Sequence, residues 1–285
     1  MFAEDEAALL IEAATTEADL DDLVARRVEG LPLEHLVGWA AFHGLRIAVG
    51  PGVFVPRRRT EFLVELAAEL APPEATVLDL CCGSGALGAA LVARRPDVRV
   101  TASDIDPVAA GYARRNLPPT SLVVVGDLFD RLPVTLRGRV DMVLANTPYV
   151  PSAAIALMPR EARLHEPRAT LDGGVDGLDL QRRVAAEVPS WLAPGGRVLV
   201  EVSETQATAA AALLSASGLR GEVHEAADEV TVVSGTRVAP TVGSMHVEDR
   251  RLLLGAQVDR PPHGLVDEVQ QLDQLVRPHP VVGRA

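Results

Sequence analysis

The stretch Asp79-Leu80-Cys81-Cys82-Gly83-Ser84-Gly85-Ala86-Leu87-Gly88 closes a Val- and Leu-rich run, 76–80, and opens an Ala- and Leu-rich one, 86–94. The first run predicts a buried strand and the second a helix. A strand that ends in a glycine turn and enters a helix brings backbone N–H groups close to a bound ligand. Gly83, Gly85 and Gly88 spell GxGxxG. Taken alone, that spacing suits a dinucleotide site no better than a tight turn that binds nothing.

Outward from this turn the pattern repeats. Short apolar runs at 98–103, 121–125, 140–145 and 197–202 are separated by helical stretches at 107–116 and 178–192. Buried parallel strands joined by right-handed crossovers account for such an alternation, so an α/β fold is expected. Two further strands, 222–225 and 230–238, lie too close together for a helical crossover and should be antiparallel. Asp79, Asp104 and Asp127 each fall at or near the C-terminal end of a predicted strand. Any one of them alone is equally well explained as the cap of the following helix. Three at successive strand ends converge on one crevice, which favours a nucleoside ligand. Asp104 lies about twenty residues beyond the glycines, where such folds bind ribose hydroxyls.

Ahead of this region, residues 7–28 carry apolar positions at near-helical spacing and predict one helix. Between 33 and 55, short apolar runs broken by Gly38, Gly44, Gly50 and Gly52 suggest a hairpin-like connector. Residues 60–70 read as helix with Thr60 as N-cap and Pro72-Pro73 behind it. Four segments result: a helical N-terminal region over 1–32, a connector over 33–59, the α/β domain over 60–240, and a tail over 241–285. In the tail, Leu265, Val269, Leu272 and Val276 fall at helical spacing, either as a frayed helix in a loosely ordered end or as a docking helix.

Composition narrows the classes. The formal net charge of -12 argues against a duplex nucleic acid as direct substrate, since phosphate binding favours a basic surface. Cys81 and Cys82 are the only cysteines, a cytoplasmic usage, and no nearby His-rich cluster joins them into a metal site. No apolar run approaches the roughly 20 residues needed to span a bilayer, and the acidic N-terminus is unlike a secretory signal.

The glycine stretch resembles the Asp-x-Gly-x-Gly-x-Gly motif of class I methyltransferases, with Cys81 in place of the first glycine. The resemblance implies a Rossmann-like, seven-stranded, mostly parallel sheet with helices on both faces, and S-adenosyl-L-methionine as cofactor. Its contacts would come from Asp79, Cys81, Gly83, Gly85, Asp104, Ile105, Asp127, Leu128 and Asn146.

The predicted strand 140–145 runs into Asn146-Thr147-Pro148-Tyr149. An amide nitrogen is a poor nucleophile, because its lone pair is delocalised into the carbonyl. An enzyme that methylates one must hold it in line with the methyl and bias the lone pair. The Asn146 side-chain oxygen and the Thr147 carbonyl are two acceptors for the NH2 group, and Tyr149 offers a flat wall. These four residues are the catalytic candidates. They resemble the Asn-Pro-Pro-Tyr of methyltransferases that modify glutamine or adenine, with Thr147 replacing the first proline at some loss of rigidity.

Further stretches resemble the protein-glutamine N5-methyltransferase family, which acts on release factors and a ribosomal protein. They are Pro32-Leu33-Glu34-His35-Leu36-Val37-Gly38, Phe42-His43-Gly44-Leu45 and the segment from Val53 to Glu61, similar to a Pro-Arg-x-x-Thr-Glu motif with Arg58 where proline is usual. Glu166-Pro167-Arg168-Ala169, Leu171-Asp172-Gly173-Gly174 and Asp176-Gly177-Leu178 complete the set. The resemblance implies N5 methylation of a glutamine on an exposed loop of a translation-related protein. The N-terminal region, shorter than in release-factor enzymes, and the loop 150–176 with Arg160, Arg163, His165 and Arg168 would read that substrate. Competing readings are adenine N6-methylation of nucleic acid, a cofactor-binding paralogue with little turnover, and a nicotinamide oxidoreductase. The last has no evident acid/base residue in the chain.

Overall fold

The computed structural model describes residues 3–226 and 230–238, all of which belong to the first of two units into which the chain divides, Met1–Ala239 and Pro240–Ala285. The tail helix expected around Leu265–Val276 lies outside the described residues.

The chain opens with α1 (Ala3–Ala13), α2 (Glu17–Val28) and the short α3 (Leu33–Val37). The single helix expected over 7–28 is therefore two. Thr16 adopts an extended conformation, and its hydroxyl accepts the N–H of Asp19 at 3.1 Å, capping α2. A hairpin follows, with β1 (Trp39–Phe42) antiparallel to β2 (Leu45–Ala48). Then comes α4 (Glu61–Leu70), entered through a 3-10 turn, Arg58–Thr60. Thr60 is itself helical and makes no side-chain cap, contrary to the sequence reading. Its hydroxyl is committed to the site described below.

The alternation is then β3 (Thr76–Leu80), α5 (Ala86–Arg94), β4 (Arg99–Asp104), α6 (Pro107–Asn116), β5 (Leu122–Val125), β6 (Val140–Ala145), α7 (Arg160–His165), α8 (Asp179–Glu187), β7 (Leu192–Val202), α9 (Ala207–Ala216), β8 (Leu219–Glu225) and β9 (Thr231–Arg237). The predicted helix over 178–192 ends early, where a 3-10 turn carrying Pro189 takes over. The sequence reading passed over α9. Seven of its ten residues are Ala or Thr and it has little sidedness, so periodicity had nothing to detect.

The seven-stranded sheet has the order β5-β4-β3-β6-β7-β9-β8. β3 pairs in parallel with both β4 and β6, and β9 runs antiparallel to β7 and β8, as expected for strands so close in sequence. Central strands bury both faces. Val77, Met142 and Leu144 point into one core with Leu63, Val64, Ala90 and Leu91. Leu78, Leu80, Val143 and Ala145 point into the other with Val184, Val188 and Trp191. Adjacent residues on a strand thus serve opposite cores, which requires apolar residues at consecutive positions. The chain leaves β3 toward β4 and β5, then returns to β6 on the other side. That reversal opens a crevice at the strand C-termini, where such sheets bind ligands. No helix among the described residues is long and apolar enough to cross a membrane.

Candidate active site

A cavity of about 320 Å³ occupies this crevice. Cys81, Gly83, Asp104, Ile105, Asp127, Leu128 and all four of Asn146, Thr147, Pro148 and Tyr149 line it. Phe42 and Phe54 enter from the hairpin and the strap behind it, Arg59 and Thr60 from the turn before α4, and Arg183 from α8.

Two of the anticipated contacts do not line this cavity. Asp79 is completely buried behind the glycine turn. Its Oδ2 accepts the N–H of Gly88 at 3.0 Å, its Oδ1 has no partner, and burial pushes its carboxyl up to about 7. Gly85 also lies behind, at φ +75°, where a Cβ would stand 3.0 Å from the Cα of Ala113; only glycine lets α6 pack so close to the turn.

The cofactor end is built from backbone donors and strand-end acids. Asp104 Oδ2 accepts Gly83 N–H at 2.7 Å and Oδ1 accepts Asp106 N–H at 2.9 Å. These bonds oppose the burial that raises its pKa. Each carboxylate oxygen keeps further lone-pair capacity for a ligand hydroxyl. Asp127 is paired with Arg183 at 2.9 Å, a partner the sequence reading did not name. Cys81 has φ +52°, a left-handed conformation that suits the glycine it replaces. Burial and the charges of Asp104, Asp79 and Asp127 raise its thiol pKa far above normal. The exposed flat of Ile105, the apolar Leu128 and two acids fit a nucleoside, and so fit S-adenosylmethionine.

At the acceptor end, Asn146 Nδ2 donates to the Thr60 hydroxyl at 3.5 Å. Among the described residues Asn146 Oδ1 takes no hydrogen bond. Tyr149 does more than form a wall. Its hydroxyl donates to Glu201 Oε1 at 3.0 Å and accepts from the Arg59 guanidinium at 3.0 Å. Burial, then the Glu201 charge, pushes its pKa up to about 12. Thr147 is buried and its hydroxyl has no partner.

The flanking motifs hold this end together. Gln206 Nε2 donates to the carbonyls of Tyr149 and Asp176, both at 2.9 Å. Gly177 sits so close that a Cβ would be 2.2 Å from the Tyr149 carbonyl, which explains the glycine there. The buried Glu166 accepts from Arg57 at 2.6 Å and from Val55 N–H at 3.3 Å, tying the strap before α4 to the loop after β6. Arg27 of α2 reaches Glu161 of α7 at 3.2 Å, so the N-terminal region and the loop 150–176 adjoin.

Sequence reasoning missed Glu201 and Arg183, and it quoted Phe42, Phe54 and Arg59 within family-like stretches without placing them in the site. Glu201 had a signal, being the lone acid in the apolar run Val198-Leu199-Val200-Glu201-Val202. Arg183 had none.

A parallel sheet with an antiparallel final pair, and a nucleoside-sized crevice at its switch point, define a class I methyltransferase. A release factor glutamine methyltransferase of Mycolicibacterium smegmatis is 41% identical over 229 residues, 78% of this chain and 80% of that one. One from Geobacter sulfurreducens is 39% identical over 199 residues, 69% of each. The chain belongs to the family of release factor glutamine methyltransferases. Residues 44–176 match the family described as Methyltransferase small domain. The fold is also that of a methyltransferase from Pyrococcus furiosus, with a TM-score of 0.52 at 16% identity over 76% of this chain and 99% of that one.

Proposed function

We propose that the chain transfers a methyl group from S-adenosylmethionine to the side-chain amide nitrogen of a glutamine in a protein, a release factor being the substrate named for its relatives. The observation that carries this reading is the state of Asn146. Its Nδ2 is engaged by Thr60, and its Oδ1 is left as an acceptor in the cavity wall. When bound, S-adenosylmethionine supplies a sulfonium-activated methyl, already a strong electrophile. The chain's task is then to orient a weak nucleophile. Asn146 Oδ1 and the Thr147 carbonyl accept the two amide N–H bonds, which stops rotation about the nitrogen and leaves its lone pair for the methyl; as the N–C bond forms the S–C bond would break with its electrons on sulfur, and the nitrogen would then release one N–H proton to solvent. Tyr149 packs against the planar group. Asp104 and Asp127 serve ribose and adenine, with Cys81, Gly83, Ile105 and Leu128 lining their sides. Asp79 and Gly85 act from behind by shaping the turn. The loop 150–176 and the adjoining N-terminal helices read the protein substrate, which belongs to the cytoplasmic translation apparatus.

The test is Asn146→Ala. Methyl transfer to a purified release factor should fall on the order of 10²-fold or more, while S-adenosylhomocysteine affinity stays near wild type. Equal loss of both would assign Asn146 to the cofactor site.

A further inference from the structure

Gln206 ends the 3-10 turn Glu204–Gln206 that follows β7, is 6% exposed, and has no place in the cavity wall. Glutamine is seldom so buried. Its Nε2 donates to the carbonyls of Tyr149 and Asp176, both at 2.9 Å. Its Oε1 accepts the Ser203 N–H at 3.1 Å and the Ser203 hydroxyl at 2.9 Å. A primary amide has two hydrogens to give and two lone pairs to fill, and all four are used here. The partners also fix which end is which. Reversed, the oxygen would face two carbonyl oxygens and the nitrogen an N–H.

The two carbonyls that Gln206 grips belong to different segments. Tyr149 closes the acceptor tetrapeptide, and Asp176 ends the loop 150–176. Backbone bonds lace these segments together nearby. Val150 N–H donates to the Leu171 carbonyl at 3.0 Å, Gly173 N–H to the Val150 carbonyl at 2.9 Å, and Ser152 N–H to the Gly174 carbonyl at 2.8 Å. The packing has no slack. A Cβ at Gly173 would stand 2.7 Å from the Pro148 carbonyl oxygen, and one at Gly177 would strike both the Tyr149 carbonyl and the Gln206 amide. Within the tetrapeptide, the Pro148 ring fixes its own φ, but Thr147 has no ring to do the same. The Thr147 carbonyl lies two peptide units from the Tyr149 carbonyl, with the stiff Pro148 between them. A grip on the second carbonyl therefore orients the first.

We propose that Gln206 is a positioning residue of the methyl-acceptor site. By holding the Tyr149 and Asp176 carbonyls together, it sets the angle of the acceptor turn against the loop that reads the protein substrate. The Thr147 carbonyl and the Tyr149 ring are thereby aimed at the substrate amide before it arrives. Gln206 does this without touching substrate or cofactor. The proposal rests on glutamine methyl transfer as the reaction of this site.

The experiment compares wild type with Gln206→Met, Gln206→Glu and Ser203→Ala. It measures kcat and KM for a purified release factor, counts active sites by calorimetric titration with S-adenosylhomocysteine, and follows thermal melting. Gln206→Met keeps the length and loses the donors. Its kcat per cofactor-binding site should fall on the order of tenfold or more, the result of a small misplacement, with S-adenosylhomocysteine affinity unchanged. Gln206→Glu should lose more at neutral pH, because an ionised carboxylate would face two carbonyl oxygens. A purely structural role would lower melting and the number of sites and leave kcat per site at the wild-type value. That outcome in Gln206→Met, or a smaller loss in Gln206→Glu than in Gln206→Met, would overturn the proposal. Ser203→Ala removes one bond to the carboxamide and keeps the backbone one, so it serves where the Gln206 variants do not fold. Its kcat per site should fall several-fold, and wild-type kcat would then overturn the proposal.

If the wild-type chain methylates no release factor, the reaction assigned above fails. The brace is then decided by hydrogen exchange of the Val150, Ser152 and Gly173 amides. Exchange should quicken in the variants. Exchange identical to wild type would overturn the claim.

Discussion

Oδ2 of Asp79 accepts the N–H of Gly88 across 3.0 Å, and Asp79 contributes nothing to the cavity wall. Through Oδ2 the acid heading the glycine motif is bonded to the turn and helix behind the cavity. Its carboxyl titrates at about 7 in the folded chain against 3.8 ordinarily, because burial disfavours the charge. Between those values the unfolded chain has released a proton that the folded chain keeps, so stability falls as pH rises through that window. Asp79→Asn lacks this titration. In urea unfolding without cofactor, the stability of the variant relative to wild type should improve by about 2–3 kcal/mol between pH 5 and pH 8. A pH-independent difference would contradict the buried state of Asp79.

Cys81 and Cys82 should resist iodoacetamide at pH 8 until the chain is unfolded. Burial comes first among the causes for both, with negative aspartates next, so the reactive thiolate is scarce. Cys81→Gly removes a non-glycine residue from a left-handed conformation, which relieves on the order of 1 kcal/mol, and clears the thiol from the cavity wall. Affinity for S-adenosylhomocysteine should hold or tighten. Weaker binding would mean that the thiol contributes a contact of its own.

Arg57→Ala should destabilise the fold by about 3 kcal/mol, the usual result of stranding one partner of a buried pair. Glu166 is 6% exposed, and its pKa is already raised by burial with Arg57 opposing. Without Arg57 the folded-state pKa rises further above the unfolded value, so the loss is smaller below the unfolded pKa and grows as pH rises above it. Denaturation midpoints at pH 5 and pH 8 test this, and an equal loss at both would exclude Glu166 as the cause.

Asp127 and Arg183 face the cavity as a pair at 2.9 Å. If Asp127 accepts from the adenine amino group, Asp127→Asn should weaken S-adenosylhomocysteine by roughly 1–3 kcal/mol, yet weaken its 6-oxo (inosine) counterpart much less. Arg183→Ala should narrow the same preference, because the arginine holds the carboxylate in place. Equal effects on both ligands in calorimetry would remove the pair from adenine recognition.

Much of this was legible before any coordinates. Val77 and Leu78 serve opposite cores, so apolar residues had to stand at consecutive positions in the run 76–80, and the strand was readable to the residue. Cys81, Gly83, Asp104, Asp127 and Asn146, which line one cavity, were singled out because a strand end followed by a turn is a local signal. Thr60 was misread for a complementary reason. A threonine before a helix is a cap by local rules, and only the arrival of Asn146 from 86 residues away gives its hydroxyl another use. Glu201 and Arg183 escaped in the same way, since their partners lie 52 and 56 residues distant in sequence. The break between α1 and α2 was local but weak, resting on Thr16 alone.

The most direct test is to incubate the purified chain with methyl-labelled S-adenosylmethionine and cell lysate, separate protein from nucleic acid, and locate the label by mass spectrometry. The account predicts label on the side-chain nitrogen of a glutamine in a release factor. Label confined to adenine in the nucleic-acid fraction, with none on protein, would contradict it.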